Sequence, residues 1–342
     1  MKRRIRPTLT RPPDFESFWA KTCEELNAID PEVRRTPMTC EGHPSLELFQ
    51  LTFHSLGGVE VTGYSLGWSD DARRPLVVHS HGYGSQCDIQ WKWAEAGYNV
   101  MGIDIRGFGR SAAAVPAPSR WGYVLTGIES PETSVLRGAV CDYGRAMQLA
   151  RDLFAGETAR QLTYGFSFAG GLALMAEALW DTSDLLVLGV PTFGWAEGRY
   201  FFVKSGSGAE IAHYLKERPE ATEDIMLVLR YFDAVNFAGM VSCETLIGLG
   251  LNDLVVPAET VYSIANHFAA PCEIMEFPVS HTALPEEQRW EEFETRWLAL
   301  GRGESELRPL RAATTLRGNG KKSDETARKH RGADGLSDRT KN

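Results

Sequence analysis

Leu162-Thr163-Tyr164-Gly165-Phe166-Ser167-Phe168-Ala169-Gly170-Gly171 is the stretch on which the reading of this chain turns. The residues from Gln161 to Tyr164 read as a buried strand, and those after Ser167, as far as Trp180, as a helix. Small residues at 165, 169 and 170 flank Ser167, where strand and helix must approach closely and the serine backbone is held strained. A bulky residue would block such a turn. Two readings of Ser167 fit: a nucleophile lifted out of the sheet on a sharp strand-to-helix turn, or a cap on the helix beginning near Phe168.

Outward from this turn, the chain is built of strand and helix units. An amphipathic helix is expected over residues 12–29, with Phe15, Phe18, Trp19, Cys23 and Leu26 on one face and Asp14 as N-cap. Leu46 to Phe53 and Val59 to Leu66 alternate and are joined around position 57, which predicts an antiparallel hairpin. Pro75 to His79 and Tyr98 to Ile105 are short apolar strands with a helix, Ile89 to Ala96, between them. A long helix from Ser134 to Phe154 leads into the Ser167 unit, and Leu185 to Val190 is a further buried strand. The sheet resumes with Thr245 to Leu251, a helix from Pro257 to Phe268, the strand Cys272 to Phe277 and a last helix from Pro285 to Leu300. Together these predict an α/β fold with a mainly parallel central sheet and helices on both faces. Residues 192–238 interrupt the rhythm with aromatics and helical spacing but no clear strand. They are read as a helical insertion over the sheet's C-terminal edge, or as a packing excursion.

With 342 residues, 43% of them hydrophobic, the chain can bury one large α/β domain, placed at 1–301. Residues 302–342 hold 11 Lys and Arg against 6 Asp and Glu, leaving 25 against 39 in the rest. The acidic body argues against nucleic acid as a partner. The basic tail, with almost no large apolar residues, is expected to be disordered. Six cysteines show no metal-like spacing and several lie in apolar runs, so free thiols and a reducing, cytoplasmic setting are expected. The basic start, Met1 to Pro7, precedes no apolar segment, and no run approaches membrane-spanning length, so neither a secretory signal nor a membrane association is expected.

A serine hydroxyl is a poor nucleophile until a histidine accepts its proton and a carboxylate holds that imidazole in one tautomer. In α/β-hydrolases the chain order is Ser, acid, His, with acid and base on loops after late strands. Asp253, after the strand ending at Leu251, and His281, after the last strand, occupy those places. A helix-capping or turn aspartate is the alternative for Asp253. Asp224 and Asp233 are weaker acids because no apolar strand delivers them, and His267 sits inside a helical pattern. Two oxyanion donors are also needed. The backbone N–H of Phe168 and that of Tyr83, in the loop His81-Gly82-Tyr83-Gly84-Ser85, are the candidates. His79 and His81 are open to a second reading as metal ligands, though two histidines without an acidic or cysteine cluster are a weak signal. Arg106 is read either as an anion-binding group or as the partner of a carboxylate, and Trp121 and Tyr123 either as lining an acyl pocket or as core aromatics.

From about residue 7 to residue 300 the chain resembles the acetyl xylan esterase and cephalosporin C deacetylase family, carbohydrate esterase family seven. The resemblance rests on Arg11-Pro-Pro-Asp-Phe-Glu-Ser-Phe-Trp19, His81-Gly-Tyr83, Asp104-Ile-Arg-Gly-Phe-Gly109, Trp121-Gly-Tyr123 before Gly127-Ile128, Gly165 to Gly171, and Asn252-Asp253 before Pro257. It implies deacetylation of short acyl esters of sugars or similar alcohols. Ser167, Asp253 and His281 would be the triad, the amides of Tyr83 and Phe168 the oxyanion donors, and no metal or other cofactor would be needed. It also implies a homo-oligomer, since family members often form ring-like hexamers. Three motifs differ. The family's Arg-Gly-Gln is Arg106-Gly107-Phe108, its Gly-x-Ser-Gln-Gly is Gly165-Phe166-Ser167-Phe168-Ala169, and its His-Glu is His281-Thr282. Two glutamines have become phenylalanine, which implies a rearranged pocket floor. Rival readings of the same residues are a lactone, thioester or aryl-ester hydrolase, and a catalytically silent hydrolase-fold binding protein.

Overall fold

The computed structural model describes residues 2–281 and 290–308, and in them the chain lays down one nine-stranded sheet. In chain order, α1 (Phe15–Asn27), β1 (Arg34–Met38), β2 (Leu46–Ser55) and β3 (Val59–Trp68) are followed by β4 (Arg74–His79), α2 (Trp91–Glu95), β5 (Asn99–Ile103) and α3 (Val135–Leu153). Then come β6 (Thr158–Phe166), α4 (Phe168–Trp180), β7 (Leu185–Gly189), and α5 to α8 (Ala196–Phe202, Gly206–Glu217, Thr222–Arg230, Val235–Ala238). β8 (Glu244–Gly250), α9 (Ala258–Ala265), β9 (Cys272–Phe277) and α10 (Trp290–Gly301) complete it.

The strands lie in the order β1-β2-β3-β5-β4-β6-β7-β8-β9. β1, β2, β3 and β5 pair antiparallel, and every pairing from β5 through β4 to β9 is parallel. Alternation in β4 shows why unbroken apolar runs mark this half: Leu76 and Val78 enter one core cluster and Val77 the other. Both faces are covered, so side chains on either are mostly apolar, and the few buried polar ones, such as His79 and Thr163, are hydrogen-bonded. The larger core packs α1, α3, α4, the insertion and α9 on one face; α2 and α10 close the other around Trp297, with Trp93 and Tyr98 edge-on at 5.0 and 5.6 Å.

Several expectations are refined. β1, which the sequence reading did not contain, is exposed at every residue and carries Pro37, so it shows no burial alternation. Asp14 precedes α1 but makes no capping bond; its carboxylate accepts the Tyr231 hydroxyl from the far end of α7. Ser134 does cap α3, its Oγ accepting the Leu136 amide at 3.3 Å. Residues 192–238 do form four helices. The expected start of the last helix at Pro285 lies outside the described residues, as does all but the first part of the tail expected to be disordered, 302–342; within that first part, the Arg308 amide donates to Glu273 and the Glu306 carbonyl accepts from Arg296. Among the described residues no helix is long and apolar enough to cross a membrane.

Candidate active site

Ser167 lies between β6 and α4 with φ 56° and ψ −115°, a backbone conformation that L-residues avoid. Its neighbours hold it there. Its N–H donates to the Gly189 carbonyl of β7 at 2.7 Å, and its carbonyl accepts the Thr192 amide at 3.1 Å. The segment after β7 shares the strain, with Val190, Phe193 and Trp195 all at positive φ. Ser167 makes no side-chain cap on α4, so the capping reading is set aside in favour of an outward-facing hydroxyl.

That hydroxyl lies 3.0 Å from His281 Nε2, and His281 Nδ1 lies 2.7 Å from Asp253 Oδ2. The Asp253 side chain is wholly buried, whereas the imidazole keeps 19% of its side-chain surface open. Nδ1 must carry the proton to donate to a carboxylate, which leaves Nε2 free to accept from Ser167.

Two loops are zipped together to make this possible. The pairing of β8 with β9 continues past the strand ends: the Leu251 amide donates to the Phe277 carbonyl at 2.8 Å and the Asn252 amide to the Pro278 carbonyl at 3.1 Å. Gly250 permits the approach, since a Cβ there would stand 2.5 Å from Ser280 Oγ and 2.9 Å from its amide nitrogen. Asp253 is then fully engaged. Its Oδ1 accepts the Val255 and Val256 amides at 2.7 and 2.8 Å, and its Oδ2 accepts the Ser280 hydroxyl beside His281. Asp253 is therefore a turn aspartate and a histidine partner at once. Ser280 was absent from the sequence reading, and only its place before His281 hinted at it.

Phe168 opens α4, so its N–H is one of the first-turn amides without an intrahelical acceptor. Tyr83 lies in a turn closed by the Ser85 amide on the Gly82 carbonyl, and its own N–H makes no hydrogen bond among the described residues. The two residues meet, with ring centroids 5.4 Å apart. Phe108, one of the two phenylalanines standing where glutamine was expected, packs edge-on to the other, Phe168, at 5.7 Å. Tyr123 joins the same aromatic cluster, 4.3 Å from the Phe108 ring; it is buried, and its hydroxyl donates to the Arg106 carbonyl. Trp121 instead packs on His213 and Tyr214 of α6.

The remaining polar residues support the loops. Arg106 is the partner of a carboxylate: Nε and Nη2 grip Asp142 of α3 at 2.9 and 2.7 Å. His81 Nε2 accepts the Ile105 amide at 3.0 Å, so its Nδ1 is protonated and donates to the Gly82 carbonyl at 2.8 Å. His79 hydrogen-bonds Tyr64 at 2.6 Å, and burial pushes its pKa down to about 3. Both are thus neutral braces under the Tyr83 loop. Among the described residues no cluster of three or more His, Cys, Asp or Glu is arranged to hold a metal. Asp233, passed over as a catalytic acid, pins the insertion: its carboxylate accepts the Trp195, Ala196 and Val235 amides at 2.8 to 2.9 Å, and burial raises its pKa to about 6. The insertion touches both arms of the site, through Tyr83 on Glu210 and through the Lys204 amide on the Leu254 carbonyl.

The family model for acetyl xylan esterase matches residues 3–298. An acetyl esterase of Xylanibacter ruminicola is 21% identical over 309 residues, covering 86% of this chain and 67% of that protein. Two solved acetyl xylan esterases share the fold. The one from Paenibacillus sp. R4 has a TM-score of 0.77 at 24% identity and covers 87% of this chain and 98% of its own. Acetyl xylan esterase 1 of Thermoanaerobacterium sp. JW/SL YS485 has a TM-score of 0.79 at 20% identity over 88% and 97%. With the family matched over nearly the whole chain and an α/β-hydrolase sheet beneath it, the protein belongs to the acetyl xylan esterase family and is a carboxylic ester hydrolase.

Proposed function

We propose that the protein removes short acyl groups, acetyl foremost, from esters of sugars or similar alcohols through an acyl-enzyme on Ser167. The observation that carries this is the chain of hydrogen bonds from Ser167 through His281 to Asp253, set on a strained strand-to-helix turn. Ser167 Oγ attacks the ester carbonyl as His281 Nε2 takes its proton, and Asp253 stabilises the imidazolium. The amides of Tyr83 and Phe168 receive the oxyanion. His281 then protonates the departing alcohol, leaving the acyl group on Ser167. Water repeats the sequence: its proton goes to His281, its oxygen to the acyl carbon, and the acid leaves as Ser167 recovers its hydrogen. The chemistry uses the side chains of Ser167, His281 and Asp253 and two backbone amides, and needs no cofactor. Aromatic rings crowd this end of the sheet, Phe168 lying 5.9 Å from Phe193 and 5.4 Å from Tyr83, which supports a small acyl group. All six cysteines are free thiols, which supports a reducing setting.

The test is turnover of 4-nitrophenyl acetate and octanoate by the parent and by Ser167→Ala. Acetyl turnover that falls at least about 10³-fold in the variant, with the octanoyl ester much slower in the parent, is expected. Equal rates from parent and variant would leave a silent scaffold as the better description.

A further inference from the structure

We propose that Glu210 is a positioning residue for the hydrolysis, holding Tyr83 by its phenol so that the Tyr83 amide stays aimed at the oxyanion. The inference rests on the reading of the Tyr83 and Phe168 amides as oxyanion donors. Tyr83 sits in a loop, and its ring contacts Phe108, Tyr123 and Phe168 only edge-on, at 5.4 to 6.2 Å. The hydrogen bonds that brace the loop fall on Gly82, one residue before Tyr83, and the edge-on ring contacts fix the Tyr83 ring less tightly than a hydrogen bond does. The directional contact is at the far end of the ring, where the hydroxyl donates to Glu210 Oε2 of α6 at 2.6 Å.

A second observation shows that room is made for that carboxylate. Gly122 has φ +129°, and a Cβ there would lie 2.0 Å from Glu210 Oε2 and 2.3 Å from Cδ. The carboxylate is therefore laid directly on the backbone between Trp121 and Tyr123, with the Tyr83 phenol as its hydrogen-bond donor. Arg199, buried in the insertion, supplies favourable charge to a group whose pKa burial otherwise raises. Phenol to carboxylate is a charge-assisted bond, stronger and more directional than a neutral one. Glu210 thus ties three segments together: the Tyr83 loop, the Gly122 turn and the first half of the insertion. Loosening the loop would cost transition-state stabilisation and leave ground-state binding of a small ester almost untouched.

The experiment measures kcat and KM for 4-nitrophenyl acetate in the parent, Tyr83→Phe, Glu210→Ala, Glu210→Gln and the Tyr83→Phe/Glu210→Ala double variant, with thermal unfolding run on each. Tyr83→Phe and Glu210→Ala are each expected to lower kcat about tenfold with KM within about twofold, less than the hundredfold or more for deleting a donor outright. The double variant should be no slower than either single, because both remove one bond. Glu210→Gln, which keeps an acceptor oxygen, should recover most of the loss. Parent-like kcat in Tyr83→Phe, or losses that multiply in the double variant, would overturn the inference. If Glu210→Ala does not fold, Tyr83→Phe, which deletes one hydroxyl, decides by the same criterion. Turnover that survives Ser167→Ala sinks the underlying esterase reading; turnover that needs Ser167 but ignores Tyr83→Phe sinks this inference alone.

Discussion

Replacing Asp253 by asparagine should separate activity from stability, because of how the four donors around the carboxylate are divided. The Val255 and Val256 amides fall on Oδ1 at 2.7 and 2.8 Å, and an asparagine oxygen in that place would keep both. The other two donors, Ser280 Oγ and His281 Nδ1, fall on Oδ2, where asparagine presents an N–H₂. The Ser280 hydroxyl can turn from donor to acceptor at little cost, since it carries both capacities. His281 can accept at Nδ1 only by moving its proton to Nε2. The imidazole then offers an N–H where Ser167 needs an acceptor. What is lost in stability is the charge-assisted part of a few hydrogen bonds, about 1 to 3 kcal/mol. What is lost in turnover is the general base, about 10⁴-fold in kcat, the size seen when a triad aspartate becomes asparagine. The assay is kcat on 4-nitrophenyl acetate beside urea unfolding of the same preparations. A kcat within tenfold of the parent would refute the claim that Asp253 sets the tautomer of His281. An equally severe unfolding would refute the division of donors.

Two further outcomes follow from single positions. Gly165→Ala would put a Cβ 2.3 Å from the Ala169 carbonyl oxygen and 2.5 Å from its carbon, both backbone, so the first turn of α4 must move with Ser167. A loss of about 1 to 3 kcal/mol in urea unfolding and a kcat down about 10²-fold are expected; an unchanged kcat would show that the turn has slack. Glu177, buried in α4 with one carboxylate oxygen unpaired, has its pKa pushed up to about 7 by burial, against the Ser183 hydrogen bonds that lower it. The folded value lies above the unfolded one of about 4.3, so its stabilising contribution is complete below that pH and is lost as pH rises through about 7. Relative to Glu177→Gln, the parent should lose on the order of 3 kcal/mol between pH 4 and pH 8; parallel stability profiles would show the carboxyl is not buried protonated.

The sequence legibly carried what depends on near neighbours. Gly165, Ser167 and Ala169 define the elbow because its sterics are local, and β4, β7 and β8 announce themselves because strands covered on both faces have mainly apolar centres. The order Ser167, Asp253, His281 followed from which loops succeed which strands. β1 was illegible because an exposed edge strand leaves no periodic trace, and it exists only because β2 offers a free edge from Leu48 to Thr52. Asp14 misled as a cap because its partner, Tyr231, lies 217 residues away.

Chain chemistry by itself therefore pointed to the class of fold, the strained strand-to-helix turn and the three side chains, Ser167, Asp253 and His281, that the fold brings within hydrogen-bonding reach. Tertiary structure decided what holds them: Ser280 on Asp253, Asp142 on Arg106, Asp233 under the insertion and Glu210 on Tyr83. Periodicity and turn chemistry are written in runs of a few residues, whereas these contacts join segments from 27 to 127 residues apart for the acid loop and the Tyr83 loop. A buried carboxylate takes whichever donors the packed sheet brings to it, and that choice exists only once the strands have found their neighbours.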